Sequence, residues 1–320
     1  MGDRAPVPVT VVGGFLGAGK TTLLNSLLTQ ANGRRLAVLV NDFGEINLDA
    51  ELLGGVAGDE VVALANGCIC CSTAAGFLAA LRRVVLRDPA PEAIIVEASG
   101  VSDPGEILRL LADEEVARHA YTDGVVTVVD AGAGIDDDPA VAGLVARQLG
   151  VADLVVLNKA DTVDEETLTV RADEVRRTAP RARTINAVEA QVPLDVVLGL
   201  ERPDGDIADE GNGSGQAGAV FESALVEIDE PLDLARLQAI LSRVPEGVYR
   251  VKGVVYLSQV PRSRCILQAT GRQARIVVGG EWGADDVPRS RLVLIGARGA
   301  VDADGLRAAL TSAPVGGAHD

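Results

Sequence analysis

Aromatic side chains make up only 2% of this 320-residue chain, with one Trp, three Tyr and four Phe. Its cores must therefore be aliphatic, built from Val, Leu, Ile and Ala within an apolar content of 48%. Basic residues are also scarce: 29 Lys and Arg stand against 46 Asp and Glu, a net charge of −17. Sequence-independent nucleic-acid binding needs a basic footprint, and adhesion to anionic membranes needs the same, so neither partner fits. No apolar run approaches the roughly 18 residues that read as a membrane span. Met1 to Pro8 carry no signal-peptide core, and Pro6 stands where a myristoylation signal at Gly2 would need Ser or Thr. The expectation is a cytoplasmic protein. Histidine is limited to His119 and His319, and cysteine to Cys68, Cys70, Cys71 and Cys265. In so long a chain without an export signal, these thiols predict metal or redox chemistry rather than a disulfide scaffold.

What is present is a regular alternation. Strands are expected at Val7–Val12, Leu36–Val40, Ala93–Val96, Val125–Val129 and Leu154–Leu157, mostly continuous apolar runs of the kind buried on both faces. Helical patterns lie between and after them, at Lys20–Gln30, Thr73–Arg87, Pro104–Arg118, Pro139–Leu149 and Asp164–Thr178. This predicts a doubly wound, mostly parallel α/β sheet over residues 1–200. Residues 201–219, ERPDGDIADEGNGSGQAGA, hold five glycines and almost no bulky apolar residue, which reads as a flexible acidic linker. A small α+β domain is expected over 220–312. Its strands are Phe221–Ile228, Tyr249–Leu257, Cys265–Thr270, Arg275–Gly279 and Arg291–Gly296, and its helices Leu232–Arg243 and Ala303–Thr311. Residues 313–320 read as a disordered tail. The negative excess belongs to the first domain and linker, since residues 221–312 carry 12 basic and 11 acidic groups. Arg250, Lys252, Arg262, Arg264, Arg272 and Arg275 have no acidic residue among them, and form either a solvated sheet face or a docking patch for an acidic surface.

Gly14-Phe15-Leu16-Gly17-Ala18-Gly19-Lys20-Thr21 fits the P-loop pattern G-x-x-x-x-G-K-S/T, placed between an expected strand and an expected helix. Its glycines let backbone amides turn inward around phosphate oxygens, and the helix N-terminus adds a favourable dipole. Lys20 would reach the β- and γ-phosphates, Thr21 would hold Mg²⁺, and Ala18 and Thr22 complete the set of loop residues assigned to the nucleotide. Asn158-Lys159-Ala160-Asp161 follows the strand Leu154–Leu157 and fits the guanine reader N-K-x-D. The Asp161 carboxylate would accept from guanine N1–H and the 2-amino group. Adenine offers neither donor and would leave it unpaired. Glu97 ends the strand Ala93–Val96, where a carboxylate can order Mg²⁺ and its waters, and Gly100 follows at the place of a backbone contact to the γ-phosphate. Lys20 and Glu97 are the catalytic candidates. All these residues sit at C-terminal strand ends, the ligand-binding edge of open α/β sheets. No Arg or Gln is placed by motif to stabilise the transition state, so intrinsic GTP hydrolysis to GDP and phosphate is expected to be slow, on the order of 10⁻⁴ to 10⁻² s⁻¹.

Cys68, Cys70 and Cys71 stand in Gly67-Cys68-Ile69-Cys70-Cys71, within the long excursion after Val40 that would sense the γ-phosphate. Three thiolates with a nearby carboxylate suit a tetrahedral thiophilic ion, with Zn²⁺ the default and Co²⁺ or Fe²⁺ also compatible. Thiols that sense redox state in a nucleotide-regulated switch are the alternative reading.

Taken in order, GGFLGAGKTTLL, NDFGE, NGCICC, VEASG and NKAD resemble the CobW-type P-loop GTPases, and the likeness extends to the small C-terminal domain through Lys252-Gly253, Trp282-Gly283 and Leu294-Ile295-Gly296. The resemblance implies a metallochaperone whose site is Cys68, Cys70 and Cys71, with Glu45 as a further ligand. It implies that GTP shapes that site, and that hydrolysis relaxes it and hands the ion to a client metalloprotein. Family members are assigned to zinc, to cobalt for cobalamin synthesis and to nitrile hydratase maturation. Many relatives carry a His-rich stretch near the linker. Here that stretch has acidic residues instead, among them Glu201, Asp204 and Asp206.

Overall fold

The computed structural model describes residues 6–41, 61–63, 74–133, 139–198, 221–270, 273–283 and 286–312. The chain divides into two compact units, Met1–Glu201 and Arg202–Asp320. In the first, β1 (Val7–Gly14) leads into α1 (Lys20–Thr29), followed by β2 (Leu36–Asn41), β3 (Val61–Ala63), α2 (Ala74–Val85) and β4 (Ala93–Ala98). Then come α3 (Pro104–Leu111), α4 (Glu114–Ala117), β5 (Ala120–Asp130), α5 (Pro139–Gly150), β6 (Leu154–Asn158), α6 (Glu165–Thr178), β7 (Arg183–Asn186) and α7 (Leu194–Val197).

Among the described residues seven strands form one sheet in the order β3-β2-β4-β1-β5-β6-β7. Every neighbouring pair is parallel. The continuous apolar runs become strands buried along their length, as in β4 and β6. From β1 the chain moves one way along the sheet to β2, and from β4 it moves the other way to β5. Right-handed crossovers then put α1 on one face and α2, α3, α5 and α6 on the other. On the latter face Phe77, Leu81 and Val84 of α2 and Ile107 and Leu111 of α3 pack with Val9, Val11, Ile94 and Val96. Leu149, Val155 and Val175 form a neighbouring cluster. The reversal makes the C-terminal ends of β1 and β4 a topological switch point, the place where open α/β sheets bind ligands.

One expected helix does not hold. Pro104–Arg118 breaks into α3 and α4. Asp113 caps the new start, its carboxylate accepting from the Glu115 amide at 3.0 Å, and this local bond competes with continuation of the helix. Strands β3 and β7 were not anticipated.

The second unit is an antiparallel five-stranded sheet of β8 (Phe221–Ile228), β9 (Val248–Tyr256), β10 (Ser263–Thr270), β11 (Gln273–Glu281) and β12 (Ser290–Ala297), in the order β11-β10-β9-β12-β8. Helices α8 (Leu234–Leu241) and α9 (Ala303–Thr311) bury Leu237, Leu241, Leu306 and Leu310 against Val226, Val251, Val255, Leu267, Leu292 and Leu294. Cys265 lies inside this core at 1% exposure. The run from Arg250 to Arg275 is not one solvated face. Arg262, Arg264 and Arg275 are exposed and Lys252 is half-buried, but Arg250 is 1% exposed, and Arg272 lies outside the described residues. Strand alternation had hidden this, because a charged residue in a strand reads as outward-facing by pattern alone.

Candidate nucleotide and metal site

The P-loop joins β1 to α1, and its glycines are fixed by contact as well as by backbone angle. Gly14 has φ 134°, and a Cβ there would come within 2.2 Å of the Val128 carbonyl oxygen. Gly19 has φ 109° and caps α1, and its Cβ would fall 2.3 Å from Nδ2 of Asn158. No other residue type fits either position. The buried Lys20 ammonium donates to the Phe15 carbonyl at 3.1 Å, so the charge lies over the loop that would receive phosphate. Thr22 is exposed and Ala18 buried.

Glu97, 3% exposed, stands on β4 opposite Val12 of β1. The Thr21 hydroxyl donates to its Oε1 at 3.2 Å. The two expected Mg²⁺ residues, far apart in sequence, are therefore adjacent at the switch point. A hydroxyl and a carboxylate are hard oxygen donors of the kind Mg²⁺ takes in nucleotide sites, so the pair fits the ion. When bound, Mg²⁺ would supply charge neutralisation between the phosphates. Gly100 packs onto the P-loop: a Cβ would lie 2.7 Å from Leu16 Cδ2 and 2.9 Å from the Leu16 nitrogen. Beneath it, the fully buried Gln148 of α5 donates from Nε2 to the carbonyls of Gly100 (3.2 Å) and Ser102 (3.0 Å).

Asn158 closes the opposite side. Its Nδ2 donates to the Ala18 carbonyl at 2.9 Å, and its Oδ1 accepts from the Ala190 amide at 2.7 Å. It thus ties the P-loop to the turn after β7. That turn holds two consecutive non-glycine residues at positive φ, Glu189 (49°) and Ala190 (50°), a strain that concentrates at functional sites. Lys159, also left-handed at φ 58°, forms an ion pair from Nζ to Asp130 Oδ2 at 2.6 Å. Burial pushes the Asp130 carboxyl up. The Lys159 hydrogen bond and charge, with the Gly132 amide, outweigh it and hold the group below its ordinary value. Asp161 is exposed on the 3₁₀ turn Ala160–Thr162.

Residues 8–186 match the family described as CobW/HypB/UreG, nucleotide-binding domain, and residues 221–313 match the cobalamin synthesis protein cobW C-terminal domain. The chain belongs to the CobW family of P-loop GTPases. It is similar to a protein named zinc chaperone CobW from a Sinorhizobium species, at 31% identity over 97% of this chain and 98% of that one. It is 34% identical to a zinc chaperone CobW of Pseudomonas aeruginosa, covering 92% of this chain and 89% of the relative. It is 31% identical to a zinc chaperone named YjiA of Escherichia coli, covering 91% and 94%.

As a CobW-family GTPase the chain converts GTP and water to GDP and phosphate. The structure brings Lys20, Thr21, Glu97, Gly100 and Asn158 together around the P-loop. The expected metal ligands Cys68, Cys70, Cys71 and Glu45 lie outside the described residues. Among the described residues no group of three His, Cys, Asp or Glu could hold a metal ion. Three participants escaped motif reading. Asp130 ends β5 as Glu97 ends the run before Ala98, and that position was a usable signal. Gln148 is a lone amide in an apolar helix, and the Ala187–Ala190 turn carries no sequence signal at all.

Proposed function

We propose that this chain is a GTP-dependent metallochaperone that carries zinc on Cys68, Cys70 and Cys71, with Glu45 as a fourth ligand, and releases it to a client metalloprotein as GTP is hydrolysed. The observation that carries the reading is a register. Val40 of β2 pairs with Glu97 of β4, and Asn41 with Ala98. The chain therefore leaves β2 beside the Mg²⁺ carboxylate and enters the segment that holds Glu45 and the three thiols. The names of the similar proteins support zinc as the cargo, and thiolate ligands favour zinc over harder ions. Lys20, Ala18, Gly19, Thr21, Thr22 and Gly100 take the phosphates, Thr21 and Glu97 take Mg²⁺, and Asp161 reads guanine, with Lys159 beside it and Asn158 holding the loop.

Ordering one segment for both ligands couples them. If GTP tightens zinc by some factor, zinc tightens GTP by the same factor. The test is a zinc titration by competition with a chromophoric chelator, in the presence of GTP, GDP or no nucleotide. Zinc should bind tightest with Mg²⁺-GTP. Cys68→Ala or Cys70→Ala should remove most zinc affinity and leave metal-free GTP binding near wild type. Equal zinc affinity in all three nucleotide states would overturn the coupled mechanism, and zinc-independent disulfide formation under mild oxidant would favour a redox switch.

A further inference from the structure

Two consecutive peptide planes beside the P-loop are held from behind. The Ser99 carbonyl accepts from the Ser102 amide at 3.0 Å and from the Ser102 hydroxyl at 2.9 Å. The next carbonyl, that of Gly100, accepts from Gln148 Nε2 at 3.2 Å, and the second hydrogen of the same Nε2 goes to the Ser102 carbonyl at 3.0 Å. In a trans peptide the N–H points opposite to the C=O. Tying back the Ser99 and Gly100 carbonyls therefore turns the amides of Gly100 and Val101 the other way. Neither amide has a partner among the described residues. The contact between Gly100 and Leu16 sets this pair against the phosphate loop.

Gln148 is itself fixed. It is 1% exposed, and its own backbone carbonyl accepts from the Thr127 hydroxyl of β5 at 3.1 Å. A buried amide that spends both donors on one loop is costly to maintain as mere filler, since an aliphatic side chain would fill the same volume without any polar group to satisfy.

We infer that Gln148 is a positioning residue for the γ-phosphate: it presets the Gly100 and Val101 amides so that the 99–102 segment distinguishes GTP from GDP and holds the charge that develops during hydrolysis. The inference rests on the reading of the P-loop and its surroundings as the nucleotide site. Preorganised backbone donors act at little reorganisation cost when charge develops, which is where such a residue would be felt. GDP lacks the γ-phosphate, so its binding should be nearly indifferent to Gln148.

The experiment uses the full chain with Gln148→Met, which keeps the length of the side chain and removes both donors. Fluorescent GDP and a slowly hydrolysed GTP analogue give affinities, and saturating single-turnover assays give the hydrolysis rate. The expected result is GDP affinity within about twofold of wild type, with the hydrolysis rate and the preference for the GTP analogue over GDP each lowered about tenfold, the scale of one to two neutral hydrogen bonds. Ser102→Ala, which removes one of the two hydrogen bonds to the Ser99 carbonyl and leaves the one from the backbone amide, should change the same readouts in the same direction and less, and it serves if Gln148→Met does not fold. Parallel loss of GDP and GTP binding with an unchanged rate at saturation would overturn the inference, because that is what a packing defect produces. Unchanged values throughout would overturn it as well. A wild-type chain that binds neither nucleotide would reject the site itself, and that outcome is visible before any substitution is made.

Discussion

Asn158→Ala tests whether the end of β6 holds the P-loop in place. The wild-type side chain is 2% exposed and spans 2.9 Å to the Ala18 carbonyl and 2.7 Å to the Ala190 amide. Truncation leaves a buried acceptor in the P-loop and a buried donor in the turn after β7. Each orphaned group costs about 1–3 kcal/mol, so the pair should cost about 2–6 kcal/mol. For a domain of this size 1 kcal/mol moves the melting midpoint by roughly 2–4 °C, and a loss of about 3 kcal/mol would lower it by about 6–12 °C. Thermal melts followed by circular dichroism, with and without GDP, measure this directly. GDP affinity should fall with stability, because the Ala18 peptide is part of the phosphate cradle proposed above. Gly19→Ala supplies a cross-check. Its Cβ would meet Asn158 Nδ2 at 2.3 Å, so in the double variant the steric part of its cost should vanish and only the cost of φ 109° should remain. A shift below about 2 °C with unchanged GDP affinity would refute the clamp.

Other outcomes follow from the same geometry. If Asp161 reads guanine as proposed, Asp161→Asn sets an amide donor against guanine donors and should weaken GTP by about 1.5–3 kcal/mol while xanthosine triphosphate gains, measured by competition against labelled GDP. Glu97→Gln removes the charge beside the Thr21 hydroxyl and should raise the Mg²⁺ concentration needed for half-maximal hydrolysis several-fold, with Mg²⁺-free GDP binding little changed. Asp130 has its pKa lowered from 3.8, so the stability it contributes is complete above that value and is lost as pH falls through the still lower folded value. Urea midpoints should therefore separate wild type from Asp130→Asn near neutrality and converge in strong acid. A gap that persists there would remove Lys159–Asp130 as the cause.

The geometry of the P-loop was legible because it is local. Glycines at Gly14 and Gly19, a lysine and a threonine must lie within a few residues of one another, and a strand and a helix must flank them. The strands of the central sheet were legible for a similar reason, since burial on both faces leaves continuous apolar runs such as Ala93–Val96. What could not be read depends on neighbours brought in by the fold. Strand β7 has four residues, one of them the buried Arg183, and shows no period. The break at Asp113 is invisible to periodicity because one capped turn barely disturbs the apolar spacing. Gln148 and Ala190 act through contacts with residues far along the chain, and nothing beside them in the sequence marks that role. Arg250 is the plainest case: in a run of basic residues it looked like surface, and the sheet buried it.

Cys265 has a practical consequence. Its thiol sits within the second unit's core, and burial raises its pKa. A thiol that is both shielded and protonated is slow toward alkylating and disulfide reagents. In the native chain such reagents should pass over Cys265, and denaturant should add it to whatever Cys68, Cys70 and Cys71 contribute. If those three thiols carry zinc as proposed, their protection from the reagent would trace loading, its loss would trace delivery, and the silence of Cys265 would show that the second unit stayed closed throughout.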